Sequence, residues 1–314
     1  MKTRRDSLLG PMRAVLLAGA LFAAGAALTP SAQAQTFKFA NQGDALSMDP
    51  HSLNESFQLS FTGNIYEPLI GRGKKLELVP ALATDWKQTA PTVWRFNLRK
   101  NVRFHDGTPF SADDVIFSYR RAQGDGSDVK TYVGAIKEIR RIDDHTIDIV
   151  TNEPFPILPD VVTNWFMMSK KWCEENKATQ PVDKRKGVEN TASFKTNGTG
   201  PYRLRSREPS IRTTLQRNPS YWGRIEGNVQ EVVFTPIGNP STRVAALLSG
   251  EVDMMEPVPV QDVARINASA GHKVMQAAEL RTIFLGMDQS RNELLFSNVK
   301  GKNPFKDKRV RQAF

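Results

Sequence analysis

The chain has 314 residues, of which 43 are Lys or Arg and 33 are Asp or Glu, so its formal net charge at pH 7 is +10. Hydrophobic residues make up 39% and charged residues 24% of the sequence, a globular composition that excludes a wholly disordered or collagen-like chain. The one cysteine, Cys173, excludes an internal disulfide, a cysteine redox pair and a cysteine-rich zinc cluster.

The N-terminus has the pattern of a secretory signal peptide. A basic start with Arg4-Arg5 is followed by the apolar stretch Ala14–Leu28 and by the small-residue triplet Ala32–Ala34, which predicts export and cleavage after Ala34. A membrane anchor is the alternative, but a span needs about 18 apolar residues and this stretch is shorter. We therefore expect a protein that is exported beyond the inner membrane and whose mature part begins at Gln35. The Sec and twin-arginine routes both stay open, because Asp6 continues the arginine pair poorly.

Several elements can be predicted along the chain from the spacing of apolar residues. The predicted strands are Gln35–Ala40, Thr92–Arg99, Thr146–Val150, Glu231–Phe234, Val252–Met255 and Thr282–Met287. The predicted helices are Ser56–Ile65, a helix that opens at Ser111, Ser241–Ser249 with serine as its N-cap, and a last one from Lys308. Strands and helices mix without a strict alternation, which favours an irregular α/β fold of several domains. Because the last helix has no C-terminal cap before Phe314, we expect the natural chain to continue.

Two further features guide the interpretation of the fold. The segment 174–190 is hydrophilic and is predicted to be a surface loop. Five aromatic residues at strand or helix spacing are predicted to pack in the core and not to serve as ligand platforms. These are Trp86, Trp94, Phe96, Phe117 and Trp222.

A catalytic reading finds little support. Ser127–Lys130 matches the S-x-x-K nucleophile motif, but its companion motifs are not met, the nearest being Lys195-Thr196-Asn197. A secreted serine hydrolase that uses Ser127 and Lys130 therefore remains only the less favoured alternative. The four histidines lie far apart, and no phosphate-binding glycine motif is present. We predict no catalytic residue, no metal and no cofactor.

Seven phrases of the sequence, taken in their order and spacing, carry a family resemblance. They are Tyr66–Leu69, Leu78–Trp86, Trp94–Tyr119, Asn197–Tyr202, Asn218–Trp222, Leu247–Asp253 and Asn303–Phe314. Together they resemble the periplasmic solute-binding proteins of ABC importers for dipeptides, oligopeptides and, in some members, nickel. The resemblance covers essentially all of residues 35–314.

This resemblance implies an α/β fold of the two-lobed periplasmic-binding-protein type, with an extra inserted domain and an incomplete second lobe. The implied boundaries are a signal peptide at 1–34, lobe I at 35–70 and 167–281, the inserted domain at 71–166, and the start of lobe II at 282–314. Such proteins close on their ligand like a hinged trap. Much of the recognition of peptide termini is attributed to parts of lobe II beyond Phe314, so we expect weak cargo binding by this chain.

The resemblance also implies the function and its partners. The cargo would be a di- or oligopeptide held backbone to backbone as an added strand, and an ABC permease in the inner membrane would receive it. A nickel chelate, haem, glutathione or an opine stays open as alternative cargo on the same scaffold. We expect a monomer. We also expect no nucleic-acid partner, because no basic run is interleaved with aromatic residues.

Two segments are candidates for ligand contact. The loop after the first strand would lie at the edge of the cleft, and a second segment precedes the strand predicted to cross between the lobes. An ordinary solvated loop or strand edge is the alternative for each. The candidate residues are His51, Leu53, Asn54, Glu55, Glu279, Leu280 and Arg281.

Overall fold

The computed structural model describes residues 35–279 and 282–314. The predicted signal peptide therefore lies outside the described residues, as do Leu280 and Arg281 of the candidate site. The described chain forms two compact units that divide between Val274 and Met275.

The helices and strands of the described residues are numbered here in chain order. The strands are β1 Gln35–Asn41, β2 Ile70–Arg72, β3 Leu78–Pro80, β4 Ala83–Ala90, β5 Val93–Leu98, β6 Ile136–Asp143, β7 Thr146–Thr151, β8 Tyr202–Glu208, β9 Arg212–Arg217, β10 Val229–Pro236 and β11 Met254–Glu256. The α-helices are α1 Ser56–Thr62, α2 Ala112–Ala122, α3 Lys130–Val133, α4 Leu158–Val161, α5 Lys170–Glu175, α6 Pro240–Leu248, α7 Val263–Ala268 and α8 Lys308–Gln312.

The larger sheet of the first unit has the order β11-β1-β10-β9-β8. Strand β1 is parallel to both of its neighbours, whereas β10, β9 and β8 are joined antiparallel. A connection between parallel strands of one sheet must cross over, and α6 lies in the connection that runs from β10 past β1 to β11. The mixed sheet agrees with the α/β class predicted from the sequence.

Both faces of this sheet are covered where β1 and β10 meet. On one face, the Phe234 ring lies 5.2 Å from that of Phe57 and 5.3 Å from that of Phe61, which belong to α1. On the other face, Ala40 packs with Ala246 of α6. Period-2 alternation along β1 therefore places successive side chains in two separate cores.

The start of α6 differs from the prediction. Its N-cap is Asn239, whose Oδ1 accepts a hydrogen bond from the Thr242 N–H at 3.0 Å, and not Ser241. Pro240 occupies the first turn, where its missing N–H costs nothing. The helix therefore begins one residue earlier than the prediction Ser241–Ser249, and Gly250 follows it with a φ of 76° as a helix stop requires.

The second sheet has the antiparallel order β4-β5-β7-β6. Phe96 of β5 and Ile147 of β7 are fully buried in a core shared with α2. Helix α2 begins as predicted, because the Ser111 N–H donates to Asp114 Oδ2 at 2.9 Å and completes a capping box. All four strands lie within residues 71–166, and the proposed limits of the inserted domain stay a prediction.

The other aromatic residues predicted to be core occupy such positions. Phe96 is fully buried, and the remaining four are partly buried against one of the two main cores. A small two-stranded sheet, β2-β3, precedes the four-stranded one.

The second unit, residues 275–314, corrects one prediction. The segment Thr282–Met287 is not a strand, and the side chains of Ile283, Phe284 and Leu285 are 74–85% exposed. A strand needs a neighbour for its N–H and C=O groups, and within 275–279 and 282–314 no segment forms a ladder with it. Helix α8 begins at Lys308, as predicted.

Candidate functional site

The candidate site is built on the loop that leaves the carboxyl end of β1 and ends at α1. In open α/β sheets, ligands bind outside the carboxyl ends of the strands, so this loop lies where a site is expected. The loop is fastened to the rest of the first unit, for example by the Met48 N–H, which donates to the Ser193 carbonyl at 3.0 Å. A fastened loop can present side chains at fixed positions.

A buried ion pair anchors the centre of this loop. Arg121 of α2 contacts Asp49 through two bonds, with Nη1–Oδ1 at 2.8 Å and Nη2–Oδ2 at 2.5 Å, and neither side chain is exposed. The Arg121 Nε–H donates to the Ala178 carbonyl at 2.9 Å. Burial alone would raise the pKa of Asp49, but the Arg121 guanidinium holds it below its usual range. The pair therefore stays charged and ties the loop to α2.

His51 lies in the interior and not on the open loop surface that the sequence suggested. Its side chain has no exposed surface, and its Nε2 is 2.9 Å from the Phe166 carbonyl oxygen. Burial and the neighbouring Arg121 lower the pKa of His51 to about 4, so the imidazole is neutral at neutral pH. A ligand contact through His51 stays a prediction that this position does not favour.

The next residues are accessible. Leu53 is half-buried, and Asn54 and Glu55 are exposed. Asn54 is fixed twice, because its Oδ1 accepts the Tyr132 hydroxyl at 2.7 Å and its main-chain N–H donates to Asp128 Oδ2 at 3.1 Å. The structure thus presents a short exposed segment on fixed partners, and its contact with a ligand stays a prediction.

Tyr132 and Asp128 are the residues that the sequence analysis missed as parts of this site. Both come from the segment between α2 and the end of α3, more than 70 positions from Asn54. In the sequence, Asp128 lies within the S-x-x-K match Ser127–Lys130 and Tyr132 follows it. This match suggested only the hydrolase alternative. No local pattern relates them to the loop after β1, because folding alone brings the two segments together.

The second candidate segment lies in the other unit. Glu279 is exposed there, and Leu280 and Arg281 lie outside the described residues. The role of all three in ligand contact stays a prediction.

A second buried carboxylate, that of Glu67, lies where three of the recognisable phrases meet. Its Oε2 accepts the Thr199 hydroxyl and the Trp222 Nε1–H, and its Oε1 accepts the Tyr221 hydroxyl, each at 2.8 Å. Burial raises the pKa of Glu67, and these hydrogen bonds offset part of the shift. The guanidinium of Arg99 lies 4.2 Å from the centre of the Trp222 ring, a cation–π contact. This cluster joins segments of the fold and is a structural feature.

Gly198 has a related structural role within the phrase Asn197–Tyr202. A Cβ atom at this position would lie 1.9 Å from the carbonyl oxygen of Ile65. Glycine is required at this position because two main chains approach closely.

The hydrolase alternative is not favoured by the geometry. Ser127 is only 6% exposed and its Oγ accepts the Val129 N–H at 3.2 Å. The Lys130 ammonium is 3.7 Å from Asp125. Each group is thus engaged with a different partner, whereas the nucleophile of such an enzyme must be paired with its base.

Two kinds of feature are absent from residues 35–279 and 282–314. Over this part of the chain, His, Cys, Asp and Glu side chains form no group of three or more that could hold a metal ion. Over the same residues, the helices are too short or too polar to cross a membrane.

The chain is similar to known proteins in both sequence and fold. The family model for bacterial extracellular solute-binding proteins, family 5 Middle, matches residues 77–314. The periplasmic oligopeptide-binding protein OppA of Escherichia coli (strain K12) is 26% identical over an alignment that covers 99% of this chain and 58% of that protein. The periplasmic murein peptide-binding protein MppA of the same organism is 25% identical over 85% of this chain and 50% of its own length.

A solved structure also matches. The ABC transporter-associated periplasmic binding protein DppA from Helicobacter pylori, in complex with the peptide STSA, superposes with a TM-score of 0.66 at 28% identity. The match covers 74% of this chain and 49% of that one. The chain therefore spans about half the length of the relatives that it matches.

Proposed function

This chain belongs to the bacterial extracellular solute-binding proteins of family 5, and we propose from this premise that it captures di- or oligopeptides in a hinged cleft for an ABC importer. The relatives support peptide as the cargo, since OppA and MppA are named for peptides and the DppA structure contains one. The proposal assigns the chain no catalysis. It acts by binding and release.

The observation that carries the proposal is the accessible segment Leu53–Glu55, in which Asn54 and Glu55 are exposed and Asn54 is held by fixed partners. The loop leaves the carboxyl end of β1, and Asn54 is held through both its main chain and its side chain. The exposed side chains on such a segment can contact an extended peptide, a mode of binding that tolerates many peptide sequences, while the Asn54 N–H stays bonded to Asp128. Fixed groups give up little entropy on binding.

The remaining parts of the proposal concern location and partners. The protein is placed in the periplasm, in line with the names of its relatives, after cleavage behind Ala34. There it acts as a monomer and delivers its cargo to a permease in the inner membrane. Residues 35–70 and 167–281 form one lobe of the cleft, and residues from 282 onward begin the other.

Native mass spectrometry of protein purified from the periplasm of its natural host tests this function. We expect a series of co-purified masses that match short peptides, and we expect the series to shrink in Asn54→Ala while the control Asp125→Ala keeps it. Co-purification of only a metal complex, haem, glutathione or an opine would contradict peptide as the cargo. Covalent labelling by a fluorescent penicillin that is lost in Ser127→Ala would contradict the non-catalytic function.

A further inference from the structure

One acidic residue, Asp128, contacts the main chain on both sides of Leu53. The main-chain N–H of Asp128 donates to the His51 carbonyl at 2.9 Å. Its Oδ2 accepts the main-chain N–H of Asn54 at 3.1 Å. Asp128 thus contacts main-chain atoms on either side of Leu53. Because these contacts involve only the main chain of the segment, they can fix its conformation independently of the side chains that the segment carries.

The second carboxylate oxygen of Asp128 is oriented by a different part of the chain. Arg185 Nη1 lies 3.3 Å from Asp128 Oδ1. The guanidinium is directed by Asp183, whose Oδ1 is 3.2 Å from Arg185 Nε and also accepts the Arg185 main-chain N–H at 3.0 Å. The hydrophilic segment 174–190, predicted as a plain surface loop, therefore supports Asp128.

Close packing between the two supporting loops fixes the position of Asp128. A Cβ atom on Gly126 would lie 2.3 Å from the Pro181 carbonyl oxygen and 2.9 Å from the Asp183 nitrogen. Only glycine allows this approach. Asp128 follows two residues later, and its side chain is 28% exposed. Its carboxylate is therefore held close to the protein surface in a fixed position.

We propose that Asp128 is a positioning residue for cargo binding, which holds the main chain of Leu53–Glu55 in its binding conformation while Arg185 orients its carboxylate. The inference rests on the proposed function, because it takes this segment to be the one that meets the peptide. Asp128 itself needs no contact with cargo. Without its carboxylate the Asn54 N–H loses its acceptor, and cargo must then bear the cost of ordering the segment.

Hydrogen exchange of the Asn54 amide, measured by NMR on the ligand-free chain, tests the contact itself. We expect Asp128→Ala to speed this exchange by about tenfold or more, because a hydrogen bond to a charged acceptor is lost. Asp128→Asn keeps an acceptor oxygen and should restore most of the protection. The matched control is Asp125→Ala, which removes a fully exposed carboxylate from the same loop and should leave the Asn54 amide unchanged.

Capture of a mixed tetrapeptide library, scored by native mass spectrometry, tests the positioning role. Asp128→Ala should retain several-fold less peptide than wild type at an unchanged melting temperature, and Asp128→Asn should recover most of it. Unchanged Asn54 exchange in Asp128→Ala would overturn the proposal, as would undiminished capture despite faster exchange. If Asp128→Ala does not fold, Arg185→Ala tests the same contact from its exposed side, and unchanged exchange there would contradict it. A wild type that retains no tetrapeptide would contradict the proposed function alone, and the exchange rates would then decide whether Asp128 holds the segment.

Discussion

Arg121 and Asp49 form a two-point ion pair whose side chains are both completely buried, although 72 positions separate them in the sequence. The pair connects the loop after β1 to helix α2. Burying a charge is costly, and each partner offsets the cost of the other. Removing either one leaves an uncompensated charge in the interior and destabilises the fold. The position of the candidate segment Leu53–Glu55 depends on this connection.

Removing one partner should therefore cost much stability. We expect Arg121→Ala to lower the free energy of unfolding by about 3–5 kcal/mol, since it leaves Asp49 charged, buried and uncompensated. Urea denaturation followed by circular dichroism measures the loss. Arg120→Ala, at an exposed position on the same helix, is the matched control and should change stability by less than about 0.5 kcal/mol. Similar losses in both variants would refute the assigned role.

The buried His51 should make stability depend on pH. Its pKa is about 4 in the folded protein against 6.5 as the ordinary value, so the unfolded chain binds more protons between these values. The contribution is thus fully present above about pH 6.5 and is lost as pH falls toward 4, by about 3 kcal/mol in total. Urea midpoints of wild type and His51→Gln, measured from pH 7 to pH 4.5, should converge as pH falls.

His145→Gln, a substitution in the turn between β6 and β7, controls for the loss of a histidine as such. A constant difference between wild type and His51→Gln across this range would show that His51 does not titrate in the way its burial requires.

The Glu67 cluster predicts a contrast between two substitutions. Glu67→Gln keeps one oxygen for Thr199 and Trp222 and places an amide beside the Tyr221 oxygen, so we expect a change within about 1 kcal/mol. Glu67→Ala leaves the buried Thr199 hydroxyl and two partly buried donors without acceptors and should cost about 3 kcal/mol. Denaturant unfolding of the two variants side by side measures the contrast, and equal losses would argue against the hydrogen-bond account.

Tyr132 should matter for cargo more than for folding. Tyr132→Phe removes the hydroxyl that donates to Asn54 Oδ1, which we expect to weaken peptide capture by about two- to tenfold, the value of one ordinary hydrogen bond. Tyr202→Phe removes a hydroxyl that donates to the Val229 carbonyl in the larger sheet and is the control. Capture of the peptide library by the two variants is compared by mass spectrometry. Equal capture by Tyr132→Phe and Tyr202→Phe would contradict a role of Tyr132 in the site.

Cys173 should be unreactive in the folded protein. It is fully buried, and burial raises the pKa of its thiol to about 12, so almost no thiolate exists at neutral pH. We expect negligible reaction with Ellman's reagent until denaturant is added, and then one thiol per chain. Rapid stoichiometric reaction of the native protein would contradict the buried position.

Local features of the sequence predicted local features of the fold. The alternation along Thr92–Arg99 predicted β5 to within one residue at each end, and the Ser111 cap predicted the start of α2, because both signals depend only on neighbouring residues. The chain-order phrases predicted the family, which the family model confirmed.

The site could be predicted only in part, because its geometry depends on distant residues. The loop after β1 could be proposed from the resemblance, but the burial of His51 follows from its packing beside Arg121 and Phe166. The supports Asp128 and Tyr132 carry no pattern that points to Asn54. The strand predicted at Thr282–Met287 is a short apolar run but lacks a pairing neighbour in the described second unit.

The Glu67 cluster and the segment Leu53–Glu55 use separate sets of residues. The residues that join the segments of the fold are therefore different from those that would determine cargo preference. Side-chain substitutions at 53–55 therefore leave the hydrogen bonds of Glu67 in place. Under the proposed function, varying the side chains of Asn54 and Glu55 would change solute preference while this cluster continues to join its three segments.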